Sequence, residues 1–190
     1  MASIVCVGCA LADILIRGLT VKDSRIQTDF KNRFHFADHI QAVAGGDALN
    51  EAIVLGRLEK NVKLVCGLGD DFMGRSIEGH VKSAGVDTSH IIWHTGKKTP
   101  INVLLVQPDK EKYFIEEPDL ESMCFIPEDS VFCNADIVSM ASLFSAPFDS
   151  KEVIHRTICA AKKQGAIVCA DVILTPFTVL SLRDCLLYTS

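Results

Sequence analysis

The residues of this chain best suited to chemistry are few and closely spaced. Ala44-Gly45-Gly46-Asp47-Ala48-Leu49-Asn50 runs into the apolar segment Glu51 to Leu58 and then to a second glycine cluster, Gly67-Leu68-Gly69-Asp70-Asp71-Phe72-Met73-Gly74, which reads as two glycine turns joined by one helix and one strand. A glycine pair directly before a helix lets a ligand approach the backbone, and the first helical N–H groups then point at that ligand's oxygens. Asn50, one turn inside that helix, both donates and accepts, which suits hydroxyl recognition. Asp13 follows the first strand where its carboxyl end opens onto a ligand crevice. A carboxylate there can accept from two hydroxyls at once, and a plain turn or cap aspartate is the alternative from residue type alone.

Other chemistries find little support. The nearest approach to a GxxxxGK[ST] phosphate loop, Gly96-Lys97-Lys98-Thr99, has Ile91 in place of the first glycine. Gly67-Leu68-Gly69 is followed by Asp70 and Asp71, whose charges would repel the pyrophosphate of a dinucleotide. The histidines (35, 39, 80, 90, 94 and 155) show no metal-binding spacing and read as surface or strand-edge residues. No GxSxG elbow occurs. Of the 8 cysteines, Cys6, Cys66, Cys133, Cys159 and Cys169 lie in or beside apolar runs and read as reduced core residues; Cys6 and Cys9 have CxxC spacing without the second pair a zinc site needs. A formal charge of -5 with scattered Lys and Arg argues against nucleic acid as a partner. With no signal-like N-terminus and no long apolar span, a cytoplasmic protein without membrane contact is expected.

These residues need a frame, and 190 residues that are 48% hydrophobic can build a packed core. Ser3 to Gly8 reads as a strand buried on both faces, Asp47 to Glu59 as a helix presenting Ala48, Leu49, Ala52, Ile53, Leu55 and Leu58, and Val62 to Cys66 as the next buried strand. Asp71 to Ser83 gives a second helix with Phe72, Ile77 and Val81 as core contacts, ended at Ala84-Gly85. His90 to Trp93 is a short strand. Asp136 to Met140, a helix from about Ser150 to Lys163, and Ile167 to Asp171 repeat strand, helix, strand. Asp13 to Ile16, Phe34 to Val43 and the hairpin Ile101 to Ile115 alternate apolar and polar residues, and read as antiparallel strands of a lid outside the main sheet.

In this order the strand, Asp13, Gly45-Gly46, Asn50, Gly56 and the stretch AGGDALNEAIVLGRLEKNVKLVCGLGDDFMG closely resemble the N-terminal signature of the ribokinase-like (PfkB) family of carbohydrate kinases. The resemblance runs to about Asp171. It implies an α/β three-layer sandwich with a mainly parallel sheet and a small β-sheet lid, truncated at the C-terminus. Residues 1–190 would form one incomplete domain with lid segments at about 13–43 and 99–117. By resemblance, Asp13 and Asn50 grip sugar hydroxyls, Gly45 and Gly46 admit the sugar against the backbone, Thr99 to Val103 covers it, and Asn102 adds a polar contact. A homodimer through the lid is a further implication.

The resemblance also marks departures. Ribokinase has a sugar-binding glutamate where this chain has Ala141-Ser142, and the family's Asp-x-Asn-x-Arg element keeps only Asp171, followed by Val172-Ile173-Leu174. The Gly-Ala-Gly-Asp turn with the catalytic base, the Asn-x-x-Glu magnesium motif and the nucleotide pocket have no counterpart in the sequence. The resemblance puts all three in the C-terminal half of the family, so the catalytic base is expected beyond Ser190. The expectation is therefore a sugar kinase using ATP and Mg2+ as a complete protein, with no catalytic or metal residue in this chain and no activity from it alone. A non-catalytic sugar-binding or regulatory module is one alternative. The other is a nucleoside kinase of the adenosine type, with Phe34, Phe36 or Phe114 against the base.

Overall fold

A computed structural model of the chain describes residues 2–19, 36–116 and 121–173. Along the chain run β1 (Ser3–Val7), β2 (Leu11–Arg17), β3 (His39–Gly45), α1 (Asp47–Arg57), β4 (Asn61–Val65), β5 (Gly67–Gly69), α2 (Phe72–Ser83), β6 (Ile92–His94), β7 (Ile101–Val106), β8 (Lys112–Glu116), β9 (Ile137–Leu143), α3 (Lys151–Lys163) and β10 (Ile167–Val172).

The main sheet has the order β10-β9-β1-β4, with every pairing parallel. The continuous apolar run of β1 reflects its central place, because both faces are covered. Cys6 packs with Ala48, Leu49, Ala52, Leu64 and Val81 on the side of α1 and α2. Val5 and Val7 pack with Val65, Phe132, Met140, Ile154 and Ile158 on the side of α3. Fully buried leucines such as Leu49 and Leu64 each contribute about 2 kcal/mol by leaving water. Helix α3 starts at Ser150, whose hydroxyl accepts from Val153 N–H.

A second sheet, β3-β2-β7-β8, stands apart from the first. Its hairpin-like pairs β2–β3 and β7–β8 are antiparallel, but β2 and β7 join in parallel, so the lid is a mixed sheet rather than the antiparallel one the alternation predicts. Phe34, His35 and the other lid positions at 20–35 and 117 lie outside the described residues. Ser190, the position beyond which the catalytic base is expected, also lies outside them, so the structure has no bearing on where that base stands.

Three further expectations are corrected. Gly67-Leu68-Gly69 is not a turn but a short buried strand, paired in parallel with Ile92–His94. Phe72 is 82% exposed, because at the first position of α2 it faces away from the core that Ile77 and Val81 enter. Cys6, Cys9 and Cys66 are buried, whereas Cys133, Cys159 and Cys169 are exposed: Phe132 and Ile158 take the inward positions beside Cys133 and Cys159, and Cys169 lies on the edge strand β10, which is largely exposed.

Candidate active site

Asp13 lies within strand β2, the third residue of the small sheet's inner strand, rather than in a loop after β1. Its cross-strand partners are Val43 on β3 and Asn102 on β7. Cross-strand partners share a face. Leu11, two residues earlier on that face, packs with Cys9, Met123 and Ala146, so the Asp13 face looks toward the chain that follows the carboxyl end of β9. Asp13 is half-buried, and burial raises its pKa above the usual carboxylate value; a hydrogen bond from the Asn102 amide opposes this, while the charges of Asp47 and Glu116 push it further up.

The glycine pair is explained by what lies beside it. A Cβ at Gly45 would overlap the Asp13 carboxylate, so glycine here makes room for the acid to fold across the strand. Gly46 has φ 102°, in the left-handed region, and a Cβ there would meet the Cys9 carbonyl oxygen at 2.5 Å and Ala10 Cα at 2.9 Å. The pair thus closes the start of α1 against the β1–β2 turn. Gly46 gives the helix no side-chain cap. The buried Cys9 thiol stands there instead: burial raises its pKa, and hydrogen bonds from the Asp47 and Ala48 N–H groups pull the other way. Asn50 is exposed one turn into α1, with its own N–H donating to Gly46 O at 2.9 Å.

The second glycine cluster holds the lid. Asp71 caps α2 by accepting from Gly74 N–H at 2.8 Å, and it also accepts from the Thr99 N–H and hydroxyl, each at 2.8 Å. Burial works against its charge, but these hydrogen bonds outweigh it and hold the carboxyl below its usual range. Thr99 directly precedes Pro100 and β7, so one carboxylate ties a main-domain helix to the root of the lid. Gly74 permits this approach, since a Cβ there would lie 2.8 Å from Thr99 Oγ1. Asp70 binds Arg75 at 2.6 Å, and the Arg75 guanidinium lies 3.7 Å from the Trp93 ring centroid.

Sequence reasoning missed a polar network at the end of β9. Ser142 has φ 60°. Its N–H donates to Asp171 at 2.8 Å and its hydroxyl to Asp47, so one residue links α1, β9 and β10. Glu51 accepts from Ser139 Oγ at 2.7 Å. Asp47, Glu51, Ser139, Ala141, Cys169, Ala170 and Asp171 line an open pocket of about 440 Å³. The available signal was the recurrence of aspartate at the start of a helix and the end of a strand, which composition alone does not connect. Among the described residues no three His, Cys, Asp or Glu side chains converge on a metal site, and no helix is long and apolar enough to cross a membrane.

Residues 1–189 match the pfkB family carbohydrate kinase family. The chain belongs to that family. PfkB family carbohydrate kinases are phosphotransferases, and the relatives of this chain are sugar kinases. It is 26% identical over 157 residues to the 5-dehydro-2-deoxygluconokinase of Geobacillus kaustophilus, covering 76% of this chain and 44% of that protein. It is 26% identical over 133 residues to fructokinase-1 of Zea mays, covering 67% and 41%. Among solved structures it is similar to a fructokinase with bound ATP from Xylella fastidiosa (25% identity, TM-score 0.71, 95% of this chain and 54% of that one). Its fold also matches that of the Arabidopsis thaliana ribokinase complexed with ribose and ATP (24% identity, TM-score 0.72, 90% and 54%). The chain spans about half the length, or less, of these pfkB relatives.

Proposed function

We propose that this chain is the sugar-positioning part of an ATP-dependent carbohydrate kinase, and that Asp13 and Asn50 hold hydroxyls of the sugar with Asn102 beside them. The observation that carries the reading is the Asp13 carboxylate, folded over Gly45 and hydrogen-bonded by Asn102 where the small sheet leaves the domain. An ionised carboxylate accepts two hydroxyl hydrogens, and each charge-assisted bond strengthens as water is excluded. ATP, when bound, supplies the phosphoryl group. The chain's own residues bind and orient the acceptor, since phosphoryl transfer depends chiefly on in-line positioning and charge stabilisation. No Gly-Ala-Gly-Asp turn with its base occurs in residues Met1 to Ser190, so the 190-residue chain alone should bind sugar without transferring phosphate.

Calorimetric titration with a panel of ketoses, aldoses and nucleosides, followed by an ATP-turnover assay, tests this. Binding of a sugar that is lost in Asp13→Ala, with no turnover, supports the reading. Absence of sugar binding, or ATP-dependent phosphorylation by the chain alone, overturns it.

A nucleoside acceptor is the second reading, favoured by Phe114. That ring is exposed and sits in the row Gln41, Leu15, Leu104, Phe114, next to the row of Asp13 on the same face, where it can stack on a base. Phe36 is exposed as well. The opposite face carries Ile14, Ile16, Ile40, Ala42, Val103 and Ile115, with Ile40 65% and Ile115 46% exposed. An apolar face of this kind supports a homodimer through the lid, which light scattering on the purified chain tests. Reduced cysteines and ATP-dependent chemistry support a cytoplasmic location.

A further inference from the structure

Two serines of β9 hold two acidic residues of α1. Ser142 donates its hydroxyl to Asp47, the first residue of the helix, and Ser139 donates to Glu51, one turn later, at 2.7 Å. On a regular strand, residues three apart point to opposite faces. Here they reach the same helix because β9 is not regular. Its pairing with β10 runs from Met140–Ala170 to Leu143–Val172, which gives β9 one extra residue, and Ser142 has φ 60°. A bulge of this kind re-aims a side chain. Ser142 is buried, and its N–H donates to Asp171 on β10 at 2.8 Å, so the serine is itself held from the far side.

What the two bonds fix is the roll of α1 about its axis. Ala48, Leu49 and Ala52 pack with Cys6 and Leu64, and apolar contacts carry no direction. Successive helical residues are set about 100° apart, so Asn50 projects about 60° to one side of Asp47 and Glu51 about 40° to the other. Side-chain groups stand about 5–6 Å from the helix axis, so a roll of about 10° carries the Asn50 amide about 1 Å. A group that meets a ligand hydroxyl has to be held within about half that distance.

Resting on the reading of Asn50 as a sugar ligand, we infer that Ser142 is a positioning residue of the sugar site: its hydroxyl, presented by the β9 bulge, holds Asp47 and so sets the roll of α1 that aims Asn50 at the acceptor. Ser139, through Glu51, is the second point of the same hold. A serine at φ 60° persists only where its surroundings over-determine it. Glycine would meet the backbone requirement more easily, and what serine adds there is the hydroxyl.

Calorimetric titration of the 190-residue chain with D-fructose and D-ribose, in a double-mutant cycle of Ser142→Gly and Asn50→Ala, tests this. Glycine still adopts the φ of Ser142 and removes only the hydroxyl. The expected result is about fivefold weaker binding in Ser142→Gly, the scale of one hydrogen bond made poorly, and less than about twofold further loss once Asn50 is alanine. Ser139→Ala should show the same coupling. In the absence of sugar, the side-chain amide signals of Asn50, identified in a proton–nitrogen spectrum by their disappearance in Asn50→Ala, should shift in Ser142→Gly. A hydroxyl with a merely structural part would lower the melting temperature without that coupling. Unchanged affinity in Ser142→Gly, equal losses in both backgrounds, or unmoved Asn50 signals overturns the inference and leaves the sugar-binding reading standing. An Asn50→Ala chain that binds as tightly as wild type, or failure of both sugars to bind wild type, overturns both.

Discussion

The two glycine clusters of this chain look alike on the page, each a run of small and acidic residues beside a helix, yet they serve different parts of the molecule. At Gly45-Gly46 the missing side chains make room for Asp13 and for the β1–β2 turn, so an acid is left half-buried, its pKa raised. At Gly67 to Gly74 the acids turn inward to the protein's own groups: Asp71 is saturated by Gly74 and Thr99, its pKa lowered. The opposite pKa directions separate a carboxylate kept hungry for donors from one already satisfied. Similar composition thus marks a fastening in one place and, in the function proposed above, a binding group in the other.

The contrast breaks most readily at Asp13. Asp13→Ala should weaken sugar binding by about 100-fold or more, the scale of losing two charge-assisted hydrogen bonds, while the melting temperature holds or rises; calorimetry and a thermal melt read both. Gly45→Ala should follow, with about tenfold weaker binding and a loss of about 1–3 kcal/mol, because the new methyl and the Asp13 carboxylate compete for one space. Asp71→Ala should do the reverse of Asp13→Ala, costing about 1–2 kcal/mol in urea denaturation through the lost cap and tether, with binding affected only through the lid.

Acid sharpens the same distinction. Asp71 has a lowered pKa, so its stabilisation is complete above the unfolded value near about 4 and fades as pH falls toward the folded one; Asp71→Asn should flatten that part of the stability curve. Asp13 has a raised pKa, so its ionisation disfavours the folded state as pH rises through it, and sugar affinity should fall on acidification at a higher pH than an ordinary aspartate would give. The smallest effect belongs to the exposed Arg75: Arg75→Ala should leave the melting temperature within error of wild type, since Asp70 and Trp93 hold it at the surface.

The sequence was most legible where one local rule decides. The apolar run of β1, the start of α3 at Ser150 and the glycine after α2 each follow from propensity or capping, and the glycine pair reads as a place of close backbone approach, which the packing of Asp13 against Gly45 and of Cys9 against Gly46 bears out. Legibility failed where tertiary pairing decides. Gly67-Leu68-Gly69 has almost no strand propensity and is a strand only because Ile92–His94 lies beside it. Phe72 is apolar but occupies a helix position that the core does not reach. The row that sets Glu116 beside Asn102 requires the register of three strands, and parallel β2–β7 pairing between distant segments cannot be read from alternation.

The fastening at Thr99 also has a mechanical meaning. Among the described residues the small sheet is fastened at its root: Asp71 grips the approach to β7, and Ala12 N–H donates to Pro100 O at 3.0 Å. Such a fastening acts as a footing that stiffens the strand positions nearest to it. Asp13 and Asn102 sit next to that footing, so the positions proposed to hold the sugar are braced by the main domain. Amide exchange at Asp13 should therefore be slow in the wild type and quicken in Asp71→Ala, where the footing is lost.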